Sequence, residues 1–400
     1  MQNSPSLVLK KRIESIDILR GIIMLIMAID HTRDYFHIVH AHGDPINLTG
    51  ITPIIFFTRW ITRFCAPSFV FLSGISAYLA GLRRTKSELS IFLIKRGLWL
   101  IFVEVAIMSF AFTLNPGYNF LILQVLWAIG FSMVILGLLV RAPITVIGVI
   151  GGLIFFGHNL LDYLKFPDGA TGIGYNLLRF FFTTHGTILP INQTHVIYDF
   201  YAAIPWTGLM LLGYVFGQLY DPSFDQQKRK KILLYAGLSA LALFFILRLF
   251  NLYGEAVPWS VQRRGIFTVF SFFDTSKFPP SLLYFCMTIG PALIILALTE
   301  NVQNKFTKIF VVYGSVPFFY YILHFYLIRI INIVLFYASG YTNSQIADPK
   351  SINLFGPKTF GYHLGVVYLI WLFVIIVLYF PCRWFSKYKK THNQWWLSYL

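Results

Sequence analysis

Residues 15–37 read SIDILRGIIMLIMAIDHTRDYFH, and how this stretch is read decides the fold. Its centre, Gly21 to Ile29, is unbroken hydrocarbon, and with its flanks it reaches the ~20 residues that cross a bilayer core. Yet Asp17, Arg20, Asp30, His31, Arg33 and Asp34 stand at its two ends. A cleaved leader would be shorter, less charged and followed by a small-residue cleavage site. The stretch is therefore expected to persist as a first transmembrane helix.

The rest of the chain supports this. Of 400 residues, 57% are hydrophobic, 18% aromatic and only 12% charged, against roughly 25% charged in a soluble domain. So few charges could not cover a soluble surface, which excludes a string of soluble domains, and the apolar content excludes disorder. Cys65, Cys286 and Cys382 lie in or beside apolar runs, so they read as packing residues without a redox role. The net charge of +16 could suggest nucleic acid. However, Lys and Arg punctuate the ends of apolar runs instead of clustering on one face, so no nucleic-acid partner is expected. The partner is the lipid bilayer.

Ten stretches approach spanning length: 16–36, 54–81, 91–114, 119–140, 143–161, 199–220, 232–252, 280–299, 309–337 and 363–385. The expected fold is an all-α, polytopic helical bundle forming one domain over 1–400, with a short N-terminal tail (1–15) and a basic C-terminal tail (386–400). With the N-terminus inside, nineteen Lys and Arg fall on inner segments and seven on outer ones, so both termini are expected in the cytoplasm. The long polar connections, 37–53, 162–198, 253–279 and 338–362, then lie outside, where binding usually sits. Residues 175–190 are too short and interrupted to span, which suits the outer interface.

Ionisable groups at membrane depth are costly, so each marks a candidate site. Asp17 and Arg20 share a face near the inner end of the first helix. Arg20 and His31 are eleven apart, three turns plus roughly 20°, so they share a face about 16 Å apart. Met24 and Met27 lie between them, and Gly21 permits close approach of another helix or a ligand. Asp30 and Asp34 flank His31 and could hold its tautomer as a base. In FFTRWITRFCAPSFVFLSG (56–74), Arg59 and Arg63 share a face and need anions. Asp30 and Asp34, at equal depth and spacing, could supply them as an ion-pair ladder; an anionic substrate group is the rival. Lys277 before Pro279, and His324 among aromatics, complete the candidates. Phosphate-loop, GxSxG, HExxH and CxxC motifs do not occur, and the uneven His31, His37, His40 and His42 cluster is a weak metal signal, so no metal is expected.

The segments RIESIDILRGIIMLIMAIDHTRDYF and FFTRWITRFCAPSFVFLSG resemble the bacterial membrane proteins grouped with heparan-alpha-glucosaminide N-acetyltransferase. LQVLWAIGFSM, IPWTGLMLLGYVFG, KFPPSLLYFCMTIGP, VPFFYYILHFYLI and the closing WWLSYL look like the same group. A basic residue, ten residues and a His is also similar to the first-helix motif of wider membrane acyltransferases that modify glycans. The resemblance implies a bacterial inner-membrane enzyme that takes acetyl groups from cytoplasmic acetyl-CoA and transfers them to a sugar or glycan acceptor outside. It implies coenzyme binding by Arg20 with Asp17, and His31 as general base or acyl carrier with Asp30 or Asp34 orienting it. Acceptor contacts would come from Arg59, Arg63, His37, Lys277 and His324. The eukaryotic lysosomal member has Asn where His31 stands and a His further along, which keeps His37, His40 and His42 in play. Self-association is left open. The rival class is a proton-coupled transporter or channel using the buried Asp, Arg and His residues; the absence of a clear internal repeat argues against it.

The charge bias leads to a direct test of topology. Reporter fusions placed after residues 86, 230 and 390 should all report cytoplasm, and a periplasmic signal at any one of them breaks the arrangement.

Overall fold

The computed structural model describes residues 13–38, 52–163, 173–182, 187–346, 353–357 and 359–398. His40 and His42 lie outside these residues. Among the described residues helix accounts for 73% and strand for 4%, so this part of the chain is all-α apart from one small sheet. In chain order the helices are α1 (Glu14–Phe36), α2 (Pro53–Thr62), α3 (Cys65–Gly81), α4 (Lys86–Val103) and α5 (Ser109–Thr113). They continue with α6 (Val125–Leu139), α7 (Ile144–Gly157), α8 (Ile173–Phe182), α9 (Ala203–Phe216) and α10 (Gln226–Leu249). The last are α11 (Gly265–Phe273), α12 (Leu282–Leu298), α13 (Lys305–Gly314), α14 (Pro317–Ala338) and α15 (Leu364–Thr391). Strands β1 (Phe120–Leu123), β2 (Thr187–Pro190) and β3 (Val196–Asp199) pair in the order β1-β3-β2.

Each of the ten expected stretches contains a helix. Among the described residues, five helical runs are long and apolar enough to cross a membrane: Pro53–Gly81, Ile144–Tyr163, Gln226–Leu249, Pro317–Ala338 and Leu364–Thr391. The apolar helices α6 and α12 are shorter. The sequence boundaries fail where apolar residues form something other than helix. Residues 120–123 and 199 belong to the sheet, because FLIL suits a half-buried strand as well as a helix. The run 54–81 breaks at Arg63–Phe64. Pro67 has no N–H to return to the Arg63 carbonyl four residues back, and that carbonyl instead accepts the Tyr284 hydroxyl at 2.9 Å. Pro317 likewise starts α14 afresh after α13. The described residues of segment 175–190 belong to α8 and β2, each too short to cross a bilayer core.

The helix α1 lies at the centre, touching α2, α3, α12, α13, α14 and α15. Its closest approach is to α13, where Gly21 faces Gly314: a Cβ on Gly21 would overlap the Phe310 carbonyl, and one on Gly314 the Asp17 carbonyl. Glycine is required there by backbone proximity, which lets dispersion act over the whole crossing. The crossings of α3 with α9 (Gly74, Gly213), α4 with α6 (Gly97, Gly130) and α10 with α12 (Gly237, Gly290) are built the same way.

Replacing Gly314 with Ala should therefore destabilise the bundle by roughly 1–3 kcal/mol, the usual range for overpacking. Gly152→Ala, whose Cβ meets nothing within 4 Å, is the control and should hold or raise Tm, since Ala favours helix. Equal melting temperatures of the two variants in detergent would contradict the close-packing account.

Candidate functional site

Two cavities lie along α1. The larger, about 290 Å³, is lined by Arg20, Met24, Phe69, Ser73, Ser76, Arg96, Tyr321 and Lys389 among others. Three cations from three parts of the chain thus converge on one apolar-walled space. Arg20 is placed by its own helix and by α3: its guanidinium donates to Ser76 Oγ and, at 3.3 Å, to the Leu72 carbonyl. Asp17, one turn earlier, approaches at 3.6 Å. The Ser76 hydroxyl donates in turn to the Leu72 carbonyl at 2.5 Å. The guanidinium is thus held by partners on two helices.

The smaller cavity, about 30 Å³, is lined by Met27, Asp30, His31, Thr62, Gln124, Tyr201, Lys277 and Tyr321 among others. The two cavities share Phe69, Val125 and Tyr321 as walls. Arg20 and Met24 therefore face one cavity, and Met27, Asp30 and His31 the other, along successive turns of one helix. Tyr321 is almost completely buried, and its hydroxyl meets no hydrogen-bond partner among the described residues. A buried unmet hydroxyl costs ~1–3 kcal/mol, so a polar ligand atom at the junction would be welcomed there.

His31 Nδ1 stands 2.7 Å from Nε2 of His324, with the rings stacked 5.0 Å apart. Asp30 accepts from Arg33 at 2.5 Å and from the Thr62 hydroxyl at 3.0 Å. Asp34 lies 2.8 Å from the same guanidinium. Lys277 sits over the Phe278 ring at 4.8 Å and near the Tyr201 ring at 5.8 Å. The loop that carries it is tied down by buried Arg248, which donates to the carbonyls of Val257, Ser271, Phe272 and Asp274 at 2.7–2.9 Å. Glu255 in that loop accepts from the Ser276 N–H and the Ser281 hydroxyl, at 2.9 and 2.8 Å. Burial pushes its carboxyl above the ordinary range.

Several expected groupings differ. Among the described residues, Arg33, three residues from Asp30 and beside Asp34, pairs with both carboxylates that were expected to serve an Arg59–Arg63 ladder. Arg63 pairs with Asp274 at 3.1 Å and donates to the Thr275 carbonyl at 2.5 Å, anchoring the same loop. Neither Arg59 nor Arg63 lines either cavity. His37 is buried at the C-cap of α1, bridged to Tyr362, away from both cavities. His324, expected to touch an acceptor, is fully buried behind His31 and also lines neither. The spacing of Asp30, Arg33 and Asp34 carried the signal for their internal pairing. Arg96 and Lys389 read in sequence as topology charges only. Nothing in the sequence singled out Tyr321.

No curated protein matches the chain. The family model described as heparan-alpha-glucosaminide N-acetyltransferase, catalytic, matches residues 12–249, more than half of the chain and the part that supplies Arg20, His31 and the α3 wall. This chain belongs to the heparan-alpha-glucosaminide N-acetyltransferase family of membrane acetyltransferases.

Proposed function

We propose that the protein transfers acetyl groups from acetyl-CoA, bound from the cytoplasmic side, to an amino sugar or glycan acceptor at the outer face, in a ten-span bundle with both termini inside. The observation that carries this reading is the pair of adjoining cavities on α1, with three cations at one and His31 at the other. Arg96 and Lys389 belong to segments that the charge bias places inside, and Lys277 to a loop that it places outside. A cavity of about 290 Å³ is at the small end of ligand pockets. It suits a pantetheine arm with its phosphates towards Arg20, Arg96 and Lys389. The roughly 16 Å between Arg20 and His31 along the helix matches an extended arm of that kind.

His31 takes the proton from the acceptor O–H or N–H as the acceptor attacks the thioester carbonyl. The C–S bond breaks, and His31 returns that proton to the departing sulfur. A transient acetyl on His31 is the variant of the same chemistry. Tyr321, at the junction, is placed to donate to the carbonyl oxygen as charge develops on it. Asp17 orients Arg20, Asp30 sets the charge beside the base through Arg33, and Lys277 meets the acceptor. A transporter would not need the thioester-length spacing between a cation and a base.

Two substitutions test the halves separately. His31→Ala should lower turnover of labelled acetyl-CoA with a panel of amino sugars by about 10²–10⁴, the worth of a general base, while thermal stabilisation by acetyl-CoA persists. Full activity of that variant would move the base elsewhere. Arg20→Lys keeps the charge but loses the planar fork, so acetyl-CoA affinity should fall at least tenfold, about 1.4 kcal/mol. An unchanged dissociation constant would reduce Arg20 to a boundary residue.

A further inference from the structure

His324 is fully buried on α14, 293 residues from His31, yet its ring is the hydrogen-bond partner of His31. Its other nitrogen, Nδ1, lies 3.1 Å from the Tyr320 carbonyl oxygen. A carbonyl has no hydrogen to give, so Nδ1 of His324 must be the donor in that bond. In a neutral imidazole the remaining nitrogen is then an acceptor. Nε2 of His324 therefore presents a lone pair, and Nδ1 of His31 must carry the hydrogen between the two rings. The lone pair of His31 is left on Nε2.

From this chain of bonds we propose that His324 is a positioning residue that fixes the tautomer of His31 and makes Nε2 its basic atom. The proposal rests on the reading of His31 as the base and adds which of its atoms acts and what holds it. The His324 ring is clamped parallel to Tyr320 at 5.2 Å and packs on Phe325 at 4.5 Å, so its acceptor nitrogen has little freedom. Phe325 also touches the His31 ring, at 4.1 Å. A carboxylate is the more familiar partner for a catalytic imidazole. Here the nearest one, Asp30, is already engaged by Arg33 and Thr62. A neutral lone pair orients the ring without placing another charge in the bundle.

The proton balance follows. His31 Nε2 accepts the acceptor's hydrogen, and the imidazolium so formed keeps its Nδ1–H pointed at His324 Nε2. When the thiolate leaves, the Nε2 hydrogen goes to sulfur and the starting tautomer returns. One acceptor–hydrogen bond and one C–S bond break; one acceptor–carbon bond and one S–H bond form.

The deciding measurement is the nitrogen spectrum of the histidine rings, by solid-state NMR on the full chain in liposomes. The His31 signals are identified by their loss in His31→Asn. The wild-type protein should show His31 protonated at Nδ1 and bare at Nε2. His324→Phe keeps the ring stack and removes the lone pair, so His31 should shift towards the Nε2–H form. His324→Gln, whose amide oxygen reaches the place of Nε2, should restore Nδ1–H. In turnover with acetyl-CoA and glucosamine as the probe acceptor, the Phe variant should lose at least about tenfold in kcat with an unchanged KM for acetyl-CoA, and Gln should recover most of it. An Nε2–H signal for His31 in the wild type, or a spectrum indifferent to His324→Phe, overturns the proposal. Full activity of His31→Ala would instead remove the base reading while leaving the tautomer result in place.

Discussion

The constraint on which this structure depends is the charge carried by α1. A charged side chain buried without a partner costs several kcal/mol, and a folded domain has only about 5–15 kcal/mol in hand. Several unmet charges on one helix would consume that margin. The bundle meets them in place. Arg33 bridges Asp30 and Asp34 on the same helix, and Arg20 is shared between Asp17 and the α3 atoms Ser76 Oγ and the Leu72 carbonyl. The glycine crossing of α1 with α13 sits beside Arg20, one residue away, so the backbone contact that fixes the helix also fixes its cation.

That solution separates groups that hold the bundle from groups that remain presented to the cavities. Arg63, Arg248 and Arg329 are buried, but their bonds run to backbone carbonyls and to side chains of loops. They tie irregular segments down. Arg20 and Lys277 differ because each reaches a cavity wall as well as a protein partner. A snorkelling arginine would extend its head towards water and away from neighbouring helices. Arg20 instead turns its fork into α3, where only about a fifth of its side chain is exposed.

What could be read from sequence follows the range of the interaction. Contacts within one helix were legible: the eleven-residue spacing puts Arg20 and His31 on one face of α1, and the three-residue spacing brings Asp17 to Arg20. Asp30 and Arg33 have the same three-residue spacing, although the carboxylates were expected to look to Arg59 and Arg63. Contacts between helices were not legible, because periodicity fixes a face but not the neighbour that covers it. Thus Arg63 finds Asp274 and His31 finds His324, pairs separated by 211 and 293 residues. Span ends erred at 120–123 and at 199 for a different reason: short apolar runs satisfy strand and helix equally, and only the pairing of β1 with β3 decides.

The extent of the family match sharpens the same point. Residues 12–249 supply α1, α3, α4 and α6, hence Arg20, His31, Arg96 and one wall of each cavity. Lys277, Tyr321, His324 and Lys389 come from beyond it. The junction between the cavities is closed by Phe69 and Val125 from the matched part and by Tyr321 from the unmatched part. The partner of His31 comes wholly from α14. The site is therefore assembled between two portions of the chain, with the charged helix of the first seated among α12, α13, α14 and α15 of the second. On the proposed reading, substitutions in α14 that leave α1 intact alter the chemistry at His31, because the proton on its ring is placed from across that contact.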